Sequence, residues 1–179
     1  MISKKWITSH FSLFTFYSPP IMHPSTQKVV DAAQELGLVI EIKEFDQTTR
    51  TAPDAARAIG CDVAQIVKSL CFAVNDEPIM ALVSGVNQLD ERKLAALCGV
   101  GRKKVKRASA DVVKAATGFS IGGVPPFGHL TPMTIFVDED LHRFETVWAA
   151  AGTPNTVFAI GPDKLVEACG GTAVSLKKE

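Results

Sequence analysis

The segment Gly118 to His129, GFSIGGVPPFGH, constrains this chain more than any other stretch. Its twelve residues hold four glycines and two adjacent prolines. Glycine permits positive φ and close approach of a ligand to the main chain. Pro125 and Pro126 fix φ and carry no N–H, so the segment is stiff despite its glycines. A helix or a central strand is excluded. What remains is a rigid loop able to aim backbone N–H groups at a ligand, or an ordinary turn between two elements.

A chain of 179 residues is long enough for one domain with a real core. Its 46% apolar and 21% charged residues are those of a globular protein. The formal net charge is zero, so no global field draws it to nucleic acid or to a membrane surface. Cys61, Cys71, Cys98 and Cys169 are far apart and form no CxxC pair, so neither a zinc site nor a dithiol redox motif is signalled. That cysteine usage fits a reducing cytoplasm. No run approaches the roughly twenty apolar residues that span a bilayer. Residues 1–21 place Lys4 and Lys5 before an aromatic run ending at Pro19-Pro20, without a small-residue cleavage pattern. They read as a tail or a mis-assigned start outside the core, with one domain over residues 22–179.

Helices are expected over Pro24 to Leu36, from the Thr51 cap to Gly60, from Glu91 (capped by Asp90) to Cys98, from Ala110 (capped by Ser109) to Ala116, and from Pro162 to Cys169. Strands are expected over Val39 to Phe45, Ile66 to Val74, Ile79 to Ser84, Thr134 to Val137, Phe144 to Ala150, Thr156 to Ile160 and Thr172 to Leu176. Asn75-Asp76-Glu77 makes the second and third strands a hairpin. The irregular alternation predicts an α/β fold with a mixed sheet and helices packed around it.

Lys68 is the one charge in the apolar run from Ile66 to Val74. Strand alternation puts it on the face of Ile66, Leu70 and Phe72, opposite Val67, Ser69 and Cys71. Such a lysine either meets a phosphate or carboxylate at a pocket edge or reaches solvent near the strand end. His129, directly after the loop, is a candidate polar contact or a turn residue. Thr48 and Thr49 either line a pocket or belong to the capped turn before the second helix. Gly152-Thr153-Pro154 is a second Gly/Pro loop. Arg102, Lys103, Lys104, Lys106 and Arg107 form either a phosphate-binding patch or a solvated face. No GxSxG, HExxH, phosphate-loop or dinucleotide motif is present. Metal and cofactor sites therefore have no motif behind them.

Taken in order, Ile66-Val67-Lys68-Ser69-Leu70, Ser84-Gly85 with Leu89-Asp90, Gly122-Gly123-Val124-Pro125-Pro126-Phe127-Gly128 and Ala151-Gly152-Thr153-Pro154 resemble the YbaK/ProX family, relatives of the editing domain of bacterial prolyl-tRNA synthetases. The likeness runs from about Met22 to the C-terminus. It implies a compact α/β fold with a mixed, partly barrel-like sheet. It further implies a free-standing deacylase, working without a cofactor, that hydrolyses the ester of a tRNA mischarged with a small amino acid of the Ala, Cys, Ser or Thr class. The tRNA acceptor end is then the partner, and an aminoacyl-tRNA synthetase is a further candidate.

On that likeness Lys68 anchors the terminal phosphate or ribose, and backbone N–H groups of Gly122 and Gly123 hold the ester carbonyl. Val124, Pro125, Pro126, Gly152, Thr153 and Pro154 shape the aminoacyl pocket, with Thr48, Thr49 and His129 as further contacts. The same residues also fit a non-catalytic tRNA- or synthetase-binding module, or a small-molecule binder.

Overall fold

The computed structural model describes residues 22–46 and 51–179. Five helices flank two sheets: α1 Pro24–Glu35, α2 Ala52–Ile59, α3 Glu91–Leu97, α4 Ala110–Thr117 and α5 Pro162–Cys169. The strands are β1 Ile42–Glu44, β2 Val67–Val74, β3 Glu77–Ser84, β4 Val105–Arg107, β5 Thr134–Asp138, β6 Val147–Ala150, β7 Thr156–Ile160 and β8 Thr172–Val174. One sheet runs β4-β2-β3-β5-β8, the other β1-β7-β6. The larger sheet is mixed: β2 is antiparallel to β3 and β4, whereas β5 is parallel to β3 and β8. The α/β architecture is the expected one. Its strands divide into two sheets joined at the Ile66–Trp148 bridge, and they do not close into a barrel among the described residues.

Local chemistry accounts for the element ends. The Thr51, Asp90 and Ser109 side chains each accept a hydrogen bond from a first-turn amide, satisfying donors the helix leaves open. The β2–β3 hairpin turns on Asn75 and Asp76, both at positive φ, as a two-residue turn of matching twist requires. Four strands, β1, β2, β6 and β8, are shorter than expected, and β4 lies within the basic cluster, where no strand was expected. Val105 is its only buried member.

Strand alternation sends β2 into two cores. Val67 and Cys71 pack with Phe119, Val124, Phe127 and Phe158 on one side. Leu70 and Phe72 pack with Leu94 and Val105 on the other. The Gly/Pro segment belongs to the first core: Phe127 is buried and tilts against Phe158 with ring centres 5.5 Å apart. Burial of such a ring contributes about 1.5–3 kcal/mol, so the loop is held from beneath as well as stiffened by its prolines. No helix among the described residues is long and apolar enough to cross a membrane. The expectation about residues 1–21 lies outside the described residues.

Candidate active site

β3 pairs with the full length of β2, but on the other edge β4 covers only Phe72 to Val74. Past that point the Ala108 amide reaches the Cys71 carbonyl at 3.1 Å, and Trp148 of β6 bridges Ile66, the residue just before β2. Between these contacts that edge of β2 has no partner strand among the described residues. A cleft of about 460 Å³ lies along the gap, a size usual for a small-molecule site. It is lined by Val67 to Leu70, by Gly122 and Val124, by Thr153 and Pro154, and by the first turn of α2. A side cavity of about 100 Å³ shares Ser69, Gly122 and Val124 with it and adds Cys71, Val113 and Arg107.

Lys68 is the only ionisable side chain among the described residues lining the cleft. It does not reach freely into solvent. Its ammonium donates to the carbonyl of Gly85 at 3.0 Å and to that of Asn87. An ammonium has three donors, so one is left for a ligand. Burial pulls the Lys68 pKa below its ordinary 10.5; the Asp138 carboxylate opposes this and the Arg107 guanidinium adds to it. The loop that holds the ammonium is itself fixed. Asn87 Nδ2 donates to Asp138 at 2.8 Å and to Asp140 at 2.9 Å, and the Ser84 amide donates to Asp138 at 3.1 Å. Gly85 admits no side chain, because a Cβ there would lie 2.0 Å from the Val63 carbonyl oxygen.

The two Gly/Pro loops are joined back to back. The Gly152 amide donates to the Gly123 carbonyl at 3.0 Å. A Cβ on Gly123 would fall 2.7 Å from the Gly152 backbone, and one on Gly152 would fall 2.5 Å from the Ser25 carbonyl oxygen of α1. These glycines are there for close packing. In the β6–β7 loop, the Thr153 amide and hydroxyl both bond Thr156 Oγ1, at 3.2 and 2.7 Å, and Thr153 Oγ1 donates to Asn155 at 2.8 Å. The loop is ordered before any ligand arrives.

The structure therefore gathers Lys68, Gly122, Val124, Thr153 and Pro154 around one hollow. It does not bring Gly123, Pro125, Pro126, His129 or Gly152 to that lining. The Gly123 amide, expected as a donor to the ester, is occupied by the Ser120 carbonyl at 3.0 Å. Pro125 and Pro126 are buried behind the loop. His129 turns back, its Nε2 2.8 Å from the Pro125 carbonyl oxygen, which makes it a brace for the bend. Burial lowers the His129 pKa, and the bond to Pro125 acts the other way. The Gly122 amide, by contrast, donates to no acceptor among the described residues. Thr48 and Thr49 lie outside the described residues.

The sequence reading passed over Ser69. It took the strand's charge as the chemical signal and left the neighbouring hydroxyl on the opposite face. Trp148 was missed as well; it lines the cleft while Lys43 sits 4.6 Å over its ring. An aromatic in an apolar strand has no local mark that separates it from a core residue.

Residues 46–168 match the family model for an aminoacyl-tRNA editing domain. The solved structure "Crystal structure of a putative trans-editing enzyme for prolyl tRNA synthetase" superposes with a TM-score of 0.83 at 40% identity, covering 88% of this chain and 99% of that one. The protein YwhH of Bacillus subtilis is 33% identical over 128 residues, 71% of this chain and 80% of that protein. The "Putative Cys-tRNA(Pro)/Cys-tRNA(Cys) deacylase EbsC" of Enterococcus faecalis is 25% identical over 122 residues, 68% of this chain and 73% of its own.

Proposed function

The chain belongs to the family of aminoacyl-tRNA editing domains, and from that membership we propose that it clears a small, wrongly attached amino acid from the acceptor end of a tRNA. It is an aminoacyl-tRNA deacylase, an ester hydrolase. One observation carries the finer reading: Lys68 and Gly122 line the same cleft, and the Gly122 amide has no acceptor among the described residues.

The reaction suits so sparse a site. Water adds to the ester carbonyl carbon, the carbonyl oxygen takes up negative charge, and the acyl C–O bond then breaks. The ribose oxygen leaves with one proton of that water. The free amino acid keeps the water oxygen and releases the other proton from its carboxyl group. The ester is already activated, so the main demand is to hold the acceptor end and stabilise the developing oxyanion. One preorganised donor of that kind is typically worth about 10²–10³ in rate. The Gly122 amide serves the carbonyl oxygen, and the third donor of Lys68 serves the terminal phosphate or ribose. Val124, Thr153 and Pro154 border the aminoacyl group. No carboxylate, imidazole or thiol lines the cleft among the described residues, so the attacking water's proton reaches the leaving ribose oxygen by relay through the vicinal ribose hydroxyl or solvent.

Size sets specificity. A synthetase pocket separates side chains that differ by a methylene by only about 1–3 kcal/mol, so small errors escape it. The side cavity of about 100 Å³, walled by Val113 and Val124, offers room for a small side chain only. The basic segment fits a tRNA substrate. Residues 102–107 hold five of the chain's 19 Lys and Arg and none of its 19 Asp and Glu. Arg102 pairs with Glu91, whereas Lys103, Lys104, Lys106 and Arg107 have no acidic partner among the described residues. Arg107 lines the side cavity, so this strip leads from the surface to the cleft.

The test is a panel of one tRNA charged in turn with Ala, Ser, Cys, Thr, Leu and Phe. Prolyl-tRNA synthetase, named for the similar solved structure, is the first source of errors to try. At least one small ester should be hydrolysed well above its spontaneous rate, and Leu and Phe should not. No acceleration on any ester, or equal acceleration on Phe, would overturn the reading.

A further inference from the structure

Among the buried side-chain polar atoms of the described residues, Ser69 Oγ alone has no hydrogen-bond partner. A buried hydroxyl left unbonded is destabilising, and such groups are rare enough in folded proteins that each one calls for an explanation. The surroundings make the omission more telling. Ser84 Oγ, in the neighbouring strand, donates to the Ala64 carbonyl at 2.7 Å, and Thr117 Oγ1 donates to the Val113 carbonyl at 2.7 Å. Thr156 Oγ1 is bonded to Thr153 and Ala151. Each of these hydroxyls ties down a loop or a helix end. Ser69 ties down nothing.

Its place is specific. Ser69 lines both the main cleft and the side cavity, and Gly122 borders both hollows with it. Ser69 pairs with Leu82 of β3 on one side, but it lies where the other edge of β2 has no partner strand among the described residues, one residue after Lys68. No bond must break for its hydroxyl to change rotamer, and a serine has three staggered wells to choose from. The hydroxyl is closed off in the free protein, and a change of rotamer alone is needed to turn it toward the hollows that Ser69 borders.

We propose that Ser69 is a substrate-contacting residue: its hydroxyl donates a hydrogen bond to the ester carbonyl oxygen, beside the Gly122 amide, and strengthens that bond as charge develops there. Ser69 keeps its proton throughout. The attack by water, the cleavage of the acyl C–O bond and the departure of the ribose hydroxyl are those already written. The proposal rests on the deacylase reading of the same cleft and adds a second donor to it. It also explains the orphaned atom: the bond missing from the free protein is made in the complex.

The proposal sets stability against activity. Removing a hydroxyl that bonds nothing in the free protein relieves a desolvated polar group, so Ser69→Ala should melt at or above the wild-type temperature. Removing a donor to the oxyanion should slow single-turnover deacylation about 10²-fold. Because the ester carbonyl is common to all substrates, the loss should be the same for alanyl- and seryl-tRNA. Ser69→Thr, which retains a hydroxyl, should recover most of the rate.

Three results would overturn the assignment while leaving the deacylase reading intact. Ser69→Ala could retain the wild-type rate, could melt well below wild type with its rate lost in proportion, or could lose activity on seryl-tRNA alone. A wild-type protein inactive on every ester would remove the deacylase reading and this assignment together.

Discussion

Replacing Lys68 with methionine keeps the aliphatic stem and deletes the charge. The structure allows the two consequences to be weighed separately. For stability, the ammonium's bonds to Gly85 and Asn87 disappear. Both residues are only part-buried, so water can take over at their carbonyls. The variant also loses a charge that burial disfavours. These effects oppose each other, and the net change in stability should stay within about 1 kcal/mol. For function, the free third donor is lost. A hydrogen bond from a charged group is worth about 1.5–3 kcal/mol, and each 1.36 kcal/mol is a factor of ten, so kcat/KM should fall about ten- to 150-fold. The assay is deacylation of the best mischarged tRNA by folded Lys68→Met, with melting followed in parallel. Wild-type kcat/KM in a folded variant would refute the anchoring role. A collapse in stability with intact specific activity would show instead that Lys68 serves only to clamp the Gly85–Asn87 loop.

Gly123→Ala should cost about 1–3 kcal/mol and lower deacylation as well, since its Cβ meets the Gly152 backbone at 2.7 Å and must push the loops apart; thermal melting and kcat/KM read both. His129 carries a pH dependence. Its folded pKa lies below the ordinary 6.5, so between those two values the unfolded chain binds the extra proton. Stability should therefore fall as pH drops below 6.5 and level off beneath the folded pKa; in melting curves from pH 7.5 to 5, His129→Gln should remove that component. The double variant Lys104→Ala with Lys106→Ala, two exposed lysines outside both cavities, should raise KM for whole tRNA and reduce the slope of log affinity against log salt by about 1.5. Its rate on a small aminoacyl-adenosine ester should not change.

Much of this molecule could be read in its residues, because the rules involved are local. Thr51, Asp90 and Ser109 announced three helix starts through side chains that cap amides a few positions on. The alternation around Lys68 assigned the faces of β2 correctly, as the division of Val67 and Leu70 between two cores shows. Relations between distant segments were hidden. β4 is three residues inside a basic run, with one apolar position and no period to detect; it exists because β2 offers Phe72 to Val74 an edge to pair. The likeness that put Lys68 beside the Gly/Pro loop could not say which amide was free. Gly122 and Gly123 look alike on paper, and only the turn geometry commits Gly123 to Ser120. The likeness put Pro125 and His129 near the ligand, yet Pro125 is buried and His129 bonds its carbonyl. Ser69 is defined by a bond it does not make, which no single sequence displays.

The claim beneath all of this is that the gap along β2 receives the aminoacylated end of a tRNA. A crystal structure with 3′-alanylamido-adenosine, whose amide resists hydrolysis, tests it most directly. The account predicts the carbonyl oxygen within hydrogen-bond distance of the Gly122 amide, the methyl group toward Val113 and Val124, and the ribose on the Lys68 side. The analogue bound on another face, with the cleft between Lys68 and Gly122 empty, would contradict it.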